Sequence, residues 1–176
     1  MLKRNKKGFT MVEIVVSIGI MSIITLIAMM FFVSNYKSYR HIKNDSELQF
    51  QTQYILNFIS NKVMESRKIE VVRIGGATSV INSMREFSIS KICLLYNEQN
   101  DNCYIFELRN NKIYYGNAKS DDLATVELGT FVSELKAAPY PEGQTFAHAS
   151  ALKITLILTK GNQVLETYQI IYMRNS

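Results

Sequence analysis

Lys6-Lys7-Gly8-Phe9-Thr10-Met11-Val12-Glu13 heads an apolar run that reaches Val33, and this stretch decides the fold. Four cations, Lys3, Arg4, Lys6 and Lys7, precede the glycine. From Phe9 to Val33 the only charged side chain is Glu13. A run of about 25 such residues predicts a helix able to cross a bilayer. A carboxylate in hydrocarbon is costly unless something positive meets it, so Glu13 predicts a cationic partner. Two simpler readings fit less of the pattern. A secretory signal peptide has an apolar core of about 7–15 residues closed by a small-x-small cleavage site. A plain membrane anchor accounts for the length and the flanking cations, but not for a glutamate fifth in line after Gly8.

Lys7-Gly8-Phe9-Thr10-Met11-Val12-Glu13, followed by the apolar helix, resembles the class III signal of type IV pilins and pseudopilins. That family places basic residues and a glycine before the cut, a phenylalanine after it, and a glutamate fifth in the mature chain. The resemblance implies an α+β, type IV pilin-like fold: a long N-terminal helix packed on an antiparallel β-sheet. It implies that a prepilin peptidase cuts between Gly8 and Phe9 and that the new Phe9 amine is N-methylated. It also implies that Glu13 pairs with the Phe9 amine of a neighbouring subunit. The partners implied are other pilin subunits, major and minor, the peptidase, the inner-membrane assembly platform, and the membrane itself before assembly. No cofactor is implied.

Formal charge is +5, and the first eight residues carry four of those charges, which leaves +1 for the chain from Phe9 onward. The basic balance therefore reports topology rather than a nucleic-acid surface. Cations at the N-terminus hold that end in the cytoplasm and send the rest of the chain outward. Lys37, Arg40 and Lys43 weaken this asymmetry without reversing it. Four segments follow: a leader over 1–8, a membrane or fibre-core helix over 9–33, an amphipathic half of the helix over 34–67, and a β domain over 68–176. The last is long enough to bury a core of its own.

Within the span, Ser17, Gly19, Ser22 and Thr25 are small or hydroxyl-bearing, as closely packed helices require. Ordinary membrane helices carry such residues too. Beyond Ser34 the sequence turns amphipathic. Leu48, Thr52, Ile55, Ile59 and Val63 recur at near-helical spacing, with Tyr54 and Phe58 widening the stripe. One continuous helix is the economical picture. Ser46-x-x-Gln49 offers the alternative of a capping box that starts a second one.

Gly75-Gly76 predicts the loop that ends the helical region, and strand signals follow. Residues 86–96 and 103–109 read as strands joined by an Asn- and Asp-rich turn, and Asn110-Asn111 as a tight hairpin turn into 112–115. Asp121-Asp122 marks a loop, and residues 130–136 alternate weakly. Pro139, Pro141 and Gly143 predict an exposed connection. Leu152, Ile154, Leu156 and Leu158 alternate with polar residues, and Lys160-Gly161-Asn162 turns the chain into 163–173. This late hairpin, with the terminal Tyr172-Met173-Arg174-Asn175, resembles the C-terminal half of minor pilins of the PilW/PulJ type.

Catalytic signals are sparse. His41 and His148 are far apart, and no Cys-x-x-Cys, His-Glu-x-x-His, phosphate loop or Gly-x-Ser-x-Gly occurs. Asp121, Asp122 and Asn117 read as a solvated loop ahead of a cation site. No catalytic residue, metal ligand or enzyme activity is predicted. Cys93 and Cys103 lie five residues either side of Glu98, which predicts positions opposite or nearly opposite across an antiparallel pair. Two readings stand for them: a disulfide in an outward-facing, oxidising compartment, or two buried reduced thiols.

The function predicted is a non-enzymatic, minor subunit of a type IV pilus or related pseudopilus. The alternatives are a pseudopilin of a secretion or DNA-uptake machine, or a tip adhesin that carries a binding module on the same scaffold. A DNA-binding tip requires a basic patch, and a near-neutral chain from Phe9 onward makes nucleic acid the weaker partner.

Overall fold

The computed structural model describes residues 9–75 and 78–174, in two units, Met1–Lys43 and Asn44–Ser176. One helix, α1 (Met11–Glu65), contributes to both. Neither proline nor glycine occurs in it after Gly19, so nothing in the backbone chemistry interrupts its hydrogen-bond ladder. Ser46 and Gln49 lie inside α1, and no second helix begins there. Ser66 ends the helix: its amide and its hydroxyl both donate to the Val63 carbonyl, at 3.1 and 2.6 Å. One of the orphan carbonyls of the last turn is thereby satisfied.

Ten strands follow among the described residues of the second unit: β1 (Lys68–Ile74), β2 (Thr78–Ser79), β3 (Phe87–Ser88), β4 (Lys91–Asn97), β5 (Asn102–Arg109), β6 (Lys112–Ala118), β7 (Val126–Thr130), β8 (Val132–Tyr140), β9 (Ala151–Lys160) and β10 (Gln163–Tyr172). The α+β arrangement is the one anticipated, but the strands form two antiparallel sheets rather than one. The first has the order β2-β1-β4-β5-β6-β7, the second β10-β9-β8-β3. The apolar stretch 86–96, anticipated as one strand, is divided between them. Phe87 and Ser88 pair with β8, while β4 pairs with β1 and β5.

α1 supplies the centre of the core. Leu48, Thr52, Ile55, Leu56, Ile59, Ser60 and Val63 are buried, a stripe at helical spacing. Tyr54, anticipated on that stripe, is instead 49% exposed. Phe58 is half-buried and meets Phe106 and Tyr115 edge-on, with ring centroids 6.3 and 4.9 Å apart. The helix comes so close to β7 that a Cβ at Gly129 would lie 2.6 Å from Ile55 Cδ1. Any larger residue there has to displace the Ile55 and Gln51 side chains.

The second sheet turns Leu152, Ile154, Leu156 and Leu158 of β9 toward the same core. Its other face carries Lys153, Ile157 and Thr159. β4 behaves differently, since Lys91, Ile92, Cys93, Leu94 and Leu95 are all buried. Ile92 and Leu94 belong to the helix-facing core. Cys93 and Leu95 form a separate cluster with Cys103, Ile105 and Ala124. Strands covered on both sides lose their alternation. The cover is the β6–β7 connection, where Lys91 Nζ donates to the Asp122 carbonyl at 2.7 Å.

Candidate assembly site

The N-terminal end of α1 is built by two side chains three residues apart. Thr10 precedes the first helical residue, Met11, which makes Glu13 the third residue of the first turn. The Thr10 amide and hydroxyl both donate to Glu13 Oε2 at 2.9 Å, and the Glu13 amide donates back to Thr10 Oγ1 at 3.3 Å. This reciprocal arrangement is a capping box. It satisfies helix-terminal donors that have no intrahelical partner, and it sets a carboxylate against the positive end of the helix dipole. Thr10 was not singled out in the sequence. The Thr-x-x-Glu spacing that announces it is there, one step from the Gly8–Phe9 junction.

From Phe9 to Val33 the large apolar side chains are exposed, Phe9 at 82%. By length and composition, α1 is apolar enough to cross a membrane. Its hydroxyls are turned inward on the helix itself. Ser17, Ser22 and Thr25 donate to the carbonyls of Glu13, Ile18 and Met21 at 2.7, 2.8 and 2.8 Å. Asn35 does the same to Phe31 at 2.9 Å. Polar groups bonded in this way enter hydrocarbon without an unmet donor. Gly8 and the rest of the predicted leader, 1–8, lie outside the described residues, as does Asn175 at the other end.

The remaining candidates are in the second unit. Cys93 and Cys103 are both buried and free. Of the two placements predicted, opposite or nearly opposite, the register gives the second. Cys93 pairs with Ile105, and Cys103 with Leu95. The pairs from Lys91↔Glu107 to Leu95↔Cys103 centre on residue 99 rather than Glu98. Moving the centre by one residue moves every cross-strand partner by two. The cysteines therefore share a face as diagonal neighbours, and β-carbons so placed are farther apart than the roughly 3.5–4.5 Å a disulfide spans. Burial pushes the Cys93 thiol up to about 12 and the Cys103 thiol up to about 11. Both stay protonated at neutral pH.

Asp121, Asp122 and Asn117 do not converge. Asp121 pairs with Arg73 at 2.8 Å, the Asp122 carboxylate accepts from the Lys119 amide at 3.1 Å, and Asn117 Oδ1 accepts from the Tyr96 hydroxyl at 2.7 Å. No group of three or more His, Cys, Asp or Glu placed to hold a metal ion occurs among the described residues. His41 sits in α1 and His148 in the short 3-10 turn Phe146–His148. The polar cluster at the base of α1 is structural. Glu65 accepts from Lys62 and from the Tyr104 hydroxyl, each at 2.8 Å. The Lys62 bond first, and the Tyr104 bond second, hold its carboxyl below the usual carboxylate range.

Residues 3–29 match the family model described as the prokaryotic N-terminal methylation motif. The match spans the Gly8–Phe9 junction, the Thr10–Glu13 cap and most of the apolar run. No curated protein and no solved structure matches the chain.

Proposed function

From a type IV pilin-like chain that carries the N-terminal methylation motif, the class III signal of that family, we infer a minor subunit of a type IV pilus or a related pseudopilus. The observation that carries this reading is the match over 3–29, which takes in the basic N-terminal residues, the Gly8–Phe9 junction and the first part of the apolar helix. On this reading the leader stays in the cytoplasm, and α1 holds the precursor in the membrane with its β domain outside. Prepilin peptidase then cuts after Gly8 and the Phe9 amine is methylated. The subunit joins a fibre through the apolar part of α1.

Glu13 is the group that recognises the neighbouring subunit. Its carboxylate stands at the very start of the helix, held there by Thr10. A freed Phe9 amine on an adjacent helix would cancel the charge that Glu13 brings into an apolar environment. The chain's own role is structural: the motif is that of a subunit, and the polar clusters of the β domain are spent on packing. A secretion or DNA-uptake pseudopilin would use the same parts.

Mass spectrometry of the mature protein from membranes and sheared fibres tests the reading. The N-terminal peptide should begin at Phe9 and carry one added methyl group. A mature N-terminus at any other position overturns it.

A further inference from the structure

The two sheets end in four edges, and three of them are short. β2 and β3 are two residues each. β7 is five residues long, and its pairing with β6 shifts register between Ile113 and Tyr114. β10 differs from all three. It runs ten residues in unbroken register with β9, has no proline, and carries a single charge, Glu166. Among the described residues no strand pairs with its far side. Proteins blunt such edges with short strands, bulges, proline or charge, because an open row of amides and carbonyls is a template for another strand. Here the other edges are blunted and β10 is not.

Its outward side chains are also unlike those of a solvated edge. Val164, Tyr168, Ile170 and Tyr172 are exposed, Tyr168 at 63% and Tyr172 at 59%. Behind them Tyr140 meets Tyr172 edge-on at 6.0 Å, and Lys153 stands over the Tyr168 ring at 5.3 Å. The strand is fixed in place at both ends. Gln163 Nε2 donates to Asp45 at 2.7 Å, and the Arg174 amide donates to the Met64 carbonyl at 3.3 Å.

We propose that β10 is a docking edge that takes an extended strand from a different subunit of the same fibre. The proposal rests on the fibre reading above. The backbone of β10 calls for a strand, since only a strand repeats donors and acceptors at its spacing. Its side chains specify the occupant's chemistry: apolar or aromatic residues beside Tyr168, Ile170 and Tyr172, and a lysine or arginine beside Glu166. Charge favours that cation, because Glu166 is exposed and is the one charged side chain of β10. A second copy of the chain fits poorly. Pairing β10 with another β10 in antiparallel fashion needs a two-fold axis, whereas a fibre repeats its subunits head to tail. The next longest edge a copy can offer is the five residues of β7.

The test uses the full-length mature protein in assembled fibres. A benzophenone amino acid replaces Tyr168, an exposed position, and the cross-linked peptides are sequenced after irradiation. The expected product joins position 168 to an alternating apolar segment, carrying a Lys or Arg, of another protein that itself begins with a methylated N-terminal residue. Glu166→Lys should lower the yield about fivefold, the scale of a reversed cross-strand charge pair, whereas Glu98→Lys should leave it unchanged. Cross-links only to a second copy, only to lipid, only to another subunit's helix, or to nothing overturn the proposal. Mature protein starting at Phe9 and present in fibres, without the strand cross-link, overturns the docking edge and leaves the fibre reading standing. An N-terminus elsewhere removes both.

Discussion

The two ends of α1 are the same secondary structure in opposite circumstances. Over residues 48–63 the apolar stripe is covered by the chain's own sheets, with Ile55 and Val63 fully buried. Over 11–33 apolar side chains point outward all round the helix, and nothing in its own unit covers them. The polar residues differ in the same sense. Near the core, Asp45 and Glu47 reach across to Gln163 and Lys160 of the second sheet. In the apolar part, Ser17, Ser22 and Thr25 bond only to their own helix. The backbone ladder is therefore the same in both places, while the surroundings of the side chains are supplied in one case by this chain and in the other by something else.

The largest effect that should separate the two ends is on processing. Gly8→Val should leave the precursor in the membrane with its leader attached, as an all-or-none change in the mass of the mature protein. The fold of the β domain should not respond, since no element of that unit includes Gly8. Glu13→Ala comes next. Insertion and leader removal should remain intact while the amount of subunit in sheared fibres falls several-fold; normal abundance there would count against Glu13 as the recognising group.

Stability should discriminate the ends in the reverse direction. Ile55→Ala removes fully buried methylenes from the centre of the core and should cost about 2–5 kcal/mol in denaturant unfolding of the β domain. Ile23→Ala, 60% exposed in the apolar part, should leave that transition where it was. Equal losses from both would show that the contrast drawn between the two ends is false.

The smallest effect is the titration of the two cysteines. Thiols of an unfolded chain ionise near 8.5, whereas burial holds Cys93 and Cys103 protonated to about 12 and 11. The folded state therefore keeps its full stability below about pH 8.5 and loses it progressively as pH rises toward 11–12. Unfolding measured across that window should show the decline, and Cys93→Ala should reduce it. The intact mass should be the same with and without reductant. A two-dalton difference would show that β4 and β5 move far enough to join the thiols.

What the sequence disclosed follows from how local each signal is. The methylation motif over 3–29 and the helical stripe over 48–63 are patterns within one stretch of chain, so residue types and spacing announce them. The existence of β1 was not. Lys68 to Ile74 alternates irregularly, because the pairing with β4 shifts between Ile69 and Val71. Nor does any run of apolar residues say which sheet it joins, so the division at Ile89 between β3 and β4 was invisible. Pro139 misled in another way. With Pro141 and Gly143 it predicts an exposed connection, yet it is buried in β8 and pairs with Leu152. β3 pairs with β8 only at Lys136 and Ala137, so the far side of β8 is an edge at Pro139, and an edge tolerates a residue without an amide hydrogen. The Thr10–Glu13 cap was legible throughout. The same pattern was weighed instead at Ser46, where the helix already runs.

The inward-turned hydroxyls of the apolar segment bear on how a subunit could leave a bilayer. Extraction is usually opposed by whatever must be broken and remade at the new location. Ser17, Ser22 and Thr25 hold bonds that travel with the helix, so no polar contact has to be exchanged on the way out. What remains is the replacement of lipid tails by neighbouring side chains of similar character. Along most of the segment one apolar surrounding then replaces another, and the charged side chain that the exchange must accommodate is Glu13.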